Sequence, residues 1–206
     1  MTQFAAPPAT RQLLHVGCGR HDRHRLKGFG GPEWNEVRLD INPAVKPDIV
    51  GTLTDMAAVP SASVDALYSS HNIEHLYPHE VPLALAEFHR VLRDDGFAVI
   101  TCPDLQAVAA AVAANRLLEP LYESGMGPIS AIDILYGHRG EIAAGNEFMA
   151  HRCGFTYDVL LSALFDAGFR HGCGGRREPA YDLWIVAFKS PMNPEAATAI
   201  ARHFLP

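Results

Sequence analysis

Short hydrophobic runs alternate along the chain with stretches whose apolar residues recur every third or fourth position, so strands and helices are predicted in turn. Leu13 to Val16 reads as the first strand, Glu36 to Leu39 as the second, and Asp48 to Leu53, behind Pro43 and Pro47, as a short third. Val64-Asp65-Ala66-Leu67-Tyr68-Ser69 alternates as a fourth. Val81, Leu85, Phe88 and Leu92 then fall at helical spacing; Pro82 is tolerated in the first turn, and Asp94-Asp95-Gly96 is expected to end the helix. Phe97 to Thr101 follows as a fifth strand, stopped by Pro103. After it come an Ala-rich helix, Leu105 to Leu118, and loops around Gly125, Pro128 and Gly140. Thr156 can cap a helix bearing Leu160, Leu161, Leu164 and Phe165 that stops at Gly168. Phe169 to Cys173 and Leu183 to Phe188 form a closing strand pair. A last helix, Pro194 to Leu205, gathers Ala197, Ile200, Ala201 and Phe204 on one side, where it either covers the core or meets a second copy of the chain as a homodimer.

Alternation of this kind builds an α/β fold: a doubly wound, mainly parallel sheet with helices on both faces. The 206 residues, 48% of them hydrophobic, suit one domain with a sizeable core. More than fifty residues separate Pro103 from Thr156, far more than a usual strand-to-helix connection. Residues 104–152 are therefore expected to be an insertion that covers the functional site as a lid, with Tyr136, His138, Arg139, Glu147, His151 and Arg152 as its polar candidates. A net charge of −6, and a densest basic run (Arg20 to Lys27) interrupted by Asp22, argue against nucleic acid as a partner. No apolar stretch reaches the roughly 20 residues of a membrane span. Cys18, Cys102, Cys153 and Cys173 lie far apart with no secretory segment read before them, so reduced thiols and a cytoplasmic location are expected.

The chemistry concentrates at two strand ends. The first strand runs into Gly17-Cys18-Gly19, whose glycines let the backbone turn sharply and lie close to a ligand with free N–H groups. About twenty residues on, the second strand ends at Asp40, a carboxylate able to accept both hydroxyls of a ribose. The pair predicts a nucleoside held across adjacent strand ends.

These residues, with Ser70-His71-Asn72-Ile73-Glu74-His75-Leu76 and the run Glu87 to Phe97, resemble the class I S-adenosylmethionine-dependent methyltransferases, in particular a small bacterial branch with the pattern Leu-x-x-Gly-Cys-Gly … Ser-His-x-x-Glu-His-Leu. The resemblance covers roughly Leu13 to Asp104. It implies a Rossmann-like sheet of seven strands with the last one antiparallel, S-adenosylmethionine as cofactor, and a small-molecule, glycan or lipid-type acceptor. By similarity, Gly17 and Gly19 would face the methionine part, Asp40 the ribose, Thr52 and Leu53 the adenine, and Ser70 or His71 the rim beside the sulfonium, with His15, Cys18 and Ile41 also among the cofactor-binding residues. His71, His75 and His151 are the catalytic candidates, since neutral imidazole is a base near pH 7. The chain departs from the family at His15, where an acidic residue is common, at His21, where a third glycine stands, and at Thr52, in place of an Asp.

Three other readings are open at this stage. A methyltransferase-like domain without catalysis would fit the departures. A nicotinamide-dependent oxidoreductase would also use Asp40, but the short segment after Gly19 leaves little room for the helix whose N-terminus holds a pyrophosphate. His71-Asn72-Ile73-Glu74-His75 is literally H-x-x-E-H, a zinc-hydrolase signature that needs both histidines on one helix. Here the motif sits between a strand and Pro78, so no metal is expected.

Overall fold

The computed structural model describes residues 10–206. Side chains alternate across β1 (Arg11–Val16), so Leu14 and Val16 enter one hydrophobic cluster while Leu13 enters the other. That alternation sets the two faces of the sheet. β1 pairs in parallel with β2 (Trp34–Asp40), which pairs with the short β3 (Ile49–Val50); the chain then returns to lay β4 (Val64–Ser70) on the other side of β1. β5 (Leu92–Pro103) follows in parallel, reached through α1 (Val81–Val91). The insertion holds α2 (Leu105–Ala113), the hairpin β6 (Pro120–Ser124) and β7 (Gly127–Ser130), α3 (Ala131–Tyr136) and α4 (Arg139–Ala143). The chain rejoins the sheet through α5 (Tyr157–Asp166), β8 (His171–Arg177) and β9 (Asp182–Phe188), and ends in α6 (Pro194–Phe204). The seven-stranded order is β3-β2-β1-β4-β5-β9-β8, with β9 antiparallel to both neighbours.

The expected α/β sheet, with its last strand antiparallel, is thus present. α1 and α5 bury Leu85, Phe88, Leu160 and Leu164 on one face; α6 buries Ala197, Ala201 and Phe204 on the other, beside Phe29 and Trp34. The tail helix therefore turns its apolar side to the sheet. Phe204 lies against Phe29 and Phe97, with ring centroids 4.7 and 4.8 Å apart.

Three local expectations are corrected. α1 ends at Val91 rather than at the Asp94-Asp95-Gly96 turn, because Leu92 already pairs with Val64 and the four residues Arg93–Gly96 swing out of the ladder before Phe97 pairs with Ala66. The Ala-rich helix stops at Ala113, not Leu118: Asn115 takes a left-handed φ of 60°, which ends the helix. Where loops are expected around Gly125 and Pro128, β6 and β7 form a hairpin turning at Gly125-Met126. The first crossover, between β1 and β2, contains only the 3-10 turn Arg23–Arg25, as the short spacing predicts.

Candidate active site

The chain passes from β1 outward to β2 and β3, then returns to β4, so connections leave the C-terminal ends of β1 and β4 in opposite directions. A crevice must open there. In it lies a cleft of about 410 Å³, bounded by Gly17, Gly19, Asp40, Ile41, Thr52, Leu53, Ser70, His71 and Asn72 and roofed by Phe148, Met149 and Arg152 of the insertion.

The floor of the cleft is a hydrogen-bonded turn. Gly17 and Gly19 have φ of 60° and 54°, left-handed values that glycine adopts without strain. Gly19 N donates to Asp40 Oδ2 at 2.8 Å and Asn42 N to Oδ1 at 2.8 Å. Two backbone donors fix that carboxylate and leave it further lone pairs for hydroxyl donors. Arg38 braces the turn from outside, donating to the carbonyls of Gly19 (2.6 Å), His21 and Lys46. Asn72 closes it from above: its Nδ2 donates to Val16 O at 3.0 Å, and a Cβ on Gly17 would lie 1.9 Å from its Oδ1.

On the far side of His71 a second cavity, of about 220 Å³, lies between the sheet edge and the insertion. Its walls include Tyr122, Met126, Ile129 and Ile134 from the insertion, Tyr181 before β9, and the cluster His71, Glu74, His75 and His151. His71 and His75 border both cavities. His71 itself has φ 52°, a left-handed conformation unusual for a side-chain-bearing residue and characteristic of constrained functional positions. Its Nδ1 lies 3.3 Å from Oε1 of Glu74, whose side chain is only 1% exposed. Desolvation disfavours charge on both groups, on Glu74 above all, since the His71 side chain keeps 45% of its exposure. The mutual attraction outweighs it, lifting the His71 pKa and holding Glu74 ionised below the usual carboxylate range, with His75 and His151 adding to the latter effect.

The insertion is stitched to this point by backbone. Arg152 N and Cys153 N both donate to Glu74 O, at 2.8 and 3.2 Å, which brings His151 alongside His75 with ring centroids 4.9 Å apart. His75 Nδ1 is 3.1 Å from Ala150 O, and His151 Nδ1 is 2.7 Å from Ile134 O. Burial depresses the His151 pKa, favouring neutral imidazole.

Of the sequence candidates, Gly17, Gly19, Asp40, Ile41, Thr52, Leu53, Ser70 and His71 border the first cleft, and His71, His75 and His151 converge on the second. His15 and Cys18 border neither. His15 is buried against Tyr68, its Nδ1 2.8 Å from Glu36 Oε1, and burial lowers its pKa. Glu36 of the neighbouring strand thus puts a carboxylate beside it. Cys18 is buried too, and its thiol is pushed up to about 11 by desolvation. Sequence reasoning missed Arg38, Asn72 and Glu74. In sequence the first reads as a solvated strand residue, the second sits between two histidines, and the third belongs to an H-x-x-E-H pattern that implies a helix, whereas Ile73–His75 is a single 3-10 turn.

This arrangement defines an α/β domain with a cleft at the point where strand order reverses. The segment from residue 14 to residue 100 matches the family model described as a methyltransferase domain. Solved structures share the fold across most of the chain. A SAM-dependent methyltransferase from Archaeoglobus fulgidus is 15% identical, with a TM-score of 0.54, covering 86% of this chain and 86% of its own. The Burkholderia thailandensis 1,6-didemethyltoxoflavin-N1-methyltransferase, solved with 1,6-didemethyltoxoflavin and S-adenosylhomocysteine, is 16% identical, with a TM-score of 0.54, covering 89% of this chain and 72% of that one. The CMeT domain of the citrinin polyketide synthase is 11% identical, also at 0.54; the match takes in 89% of this chain but only 47%, about half, of that one. No curated protein matches in sequence. Residues 14–100 thus carry the methyltransferase-domain match that the motifs led us to expect, and the fold around them is one that solved S-adenosylmethionine-dependent methyltransferases share.

Proposed function

We propose that the chain transfers a methyl group from S-adenosylmethionine to a small-molecule, glycan or lipid-type acceptor, with the cofactor in the cleft above Gly17 and Asp40 and the acceptor in the cavity beside Glu74. The observation that carries this reading is the meeting of the two cavities at His71 and His75. Methyl transfer is an in-line displacement, so the main demand on the protein is to align acceptor, methyl and sulfur. Two cavities that share a wall answer that demand.

S-adenosylmethionine, when bound, supplies the electrophilic methyl. Everything else falls to the chain. Asp40 accepts from the ribose hydroxyls while Gly19 N and Asn42 N hold its carboxylate in place. Ile41, Thr52 and Leu53 flank the adenine side, and Ser70 and His71 border the reacting end. His71, strengthened as a base by Glu74, takes the proton from a hydroxyl or amine acceptor. Tyr122, Ile129, Ile134 and Tyr181 give the acceptor cavity an apolar, partly aromatic lining suited to a small organic molecule rather than to a nucleic-acid backbone. Residues 104–152 act as the acceptor-side wall of a single domain. The four cysteines are free, which suits a reducing compartment such as the cytoplasm.

A dinucleotide fits less well. Its pyrophosphate needs a helix N-terminus after the glycine turn, and the residues there form only the short Arg23–Arg25 turn. Thermal denaturation with added ligands tests the choice: S-adenosylhomocysteine should raise the midpoint in a concentration-dependent manner, and NAD at the same concentration should not. Stabilisation by NAD alone would reverse the assignment.

A further inference from the structure

We propose that Glu74, His75 and His151 form a binding site for one divalent transition-metal ion, with zinc as the representative, whose open coordination position faces the acceptor cavity. The Glu74 carboxylate is electrostatically anomalous. Glu74 is almost fully buried, and neither of its carboxylate oxygens has a hydrogen-bond donor among the described residues; the half-exposed His71 ring, at 3.3 Å, attracts the carboxylate from one side without closing a hydrogen bond. A buried anion without donors is costly, and a cation is the natural complement.

Two imidazoles converge on the same point. Glu74, His75 and His151 each offer one ligand atom, and those atoms lie within 4.8 Å of one another. Ligands around a tetrahedral zinc with bonds of about 2.0–2.1 Å are about 3.4 Å apart, so small side-chain rotations close the set. Both rings are held as metal-ligating histidines are held: Nδ1 of His75 faces the carbonyl of Ala150 and Nδ1 of His151 that of Ile134, which leaves each Nε2 with its lone pair free. All three residues line the cavity of about 220 Å³. Two histidines and one carboxylate with a vacant position is the ligand count of sites where the metal meets a substrate, and not of closed structural sites.

This set differs from the H-x-x-E-H reading that led us to expect no metal. There the ligands would be His71 and His75 with Glu74 as base; here Glu74 is itself a ligand, and His151, some seventy-five residues away, replaces His71. A metal at this position would bind an oxygen or nitrogen of the acceptor and lower its pKa, which suits acceptors such as hydroxy acids or vicinal diols. That role rests on the methyl-transfer reading, but the site does not.

The test is metal binding by the whole chain, purified without metal-affinity chromatography and stripped with a chelator. Calorimetric titration with zinc should show one ion per chain. Glu74→Gln and His151→Ala should each weaken binding by more than about a hundredfold, beyond the roughly 10–100-fold that removal of a supporting partner costs. His71→Ala should keep the stoichiometry. On the unaltered chain, zinc should perturb the ring NMR signals of two of the eleven histidines, so a variant that fails to fold leaves the question decidable. No zinc uptake, uptake indifferent to Glu74 and His151, or uptake that depends on His71 instead of His151 would overturn the proposal. Because S-adenosylhomocysteine binding is a separate measurement on a separate cleft, failure here and failure of the methyltransferase reading are distinguishable.

Discussion

At the scale of single residues, the glycine turn shows how closely backbone conformation and ligand space are tied. Gly17 and Gly19 share a left-handed φ, but a Cβ on Gly17 would collide with Asn72, whereas one on Gly19 meets nothing within 4 Å. Both alanine variants should lose the roughly 1–2 kcal/mol of a left-handed L-residue. Gly17→Ala should lose distinctly more, because Asn72 must also give up its bond to Val16. Urea denaturation of the two variants checks this, and equal stabilities would show that Asn72 does not close the turn. Gly17, Gly19 and Asp40 were legible in the sequence because turn chemistry and a fixed offset between neighbouring strands are local properties. Glu74 as a partner of His151 was not, since only the long excursion of the insertion brings them together. The partner of His15 was hidden for a related reason: the histidine's place beside the turn is fixed by sequence, but the direction of its ring follows from strand alternation and from Glu36 on the next strand.

At the scale of elements, the strands of the parallel core were readable because a hydrophobic run between turn residues has few other outcomes in a sheet covered on both faces. The insertion was not. Its residues form a small cluster of their own, with Val108, Ala111, Ile129, Ala131 and Ile134 buried together, and weak amphipathic signals over short lengths do not separate a hairpin from a loop. Asp133 secures this unit. Its side chain accepts from Ser130 N and Ser130 Oγ in a capping box and from the Arg139 guanidinium, and these bonds outweigh desolvation to hold its pKa far below the usual carboxylate range. A depressed folded-state pKa contributes stability that is fully present above the unfolded value of about 3.9 and is lost as pH falls below it toward the folded value. Asp133→Asn should therefore destabilise the protein by about 1–3 kcal/mol at pH 7, and the difference should shrink as the pH drops below about 4. Paired denaturation curves across pH give the answer; a difference independent of pH would mean that charge on Asp133 is not what secures α3.

At the scale of the whole molecule, the sheet supplies a rigid floor and the insertion a wall, and the two are joined at Glu74 by backbone hydrogen bonds from Arg152 and Cys153. This division of labour predicts separable effects. His151→Ala should lower methyl transfer to the acceptor while leaving cofactor affinity nearly unchanged, because the floor around Gly19 and Asp40 contains no residue of the insertion; comparison of turnover with S-adenosylhomocysteine affinity in this variant tests it, and a parallel loss of both would place His151 in the cofactor's site.

The claim on which the rest depends is that the cleft above Asp40 holds an S-adenosyl nucleoside. Calorimetric titration of S-adenosylhomocysteine into the wild type, Asp40→Asn and Asp40→Ala measures it most directly. We expect one site in the wild type and a loss of about 1–3 kcal/mol in affinity for the alanine variant, with asparagine between them because it keeps an acceptor but not the charge. Absence of binding by the folded wild type, or equal affinity in all three proteins, would contradict the account.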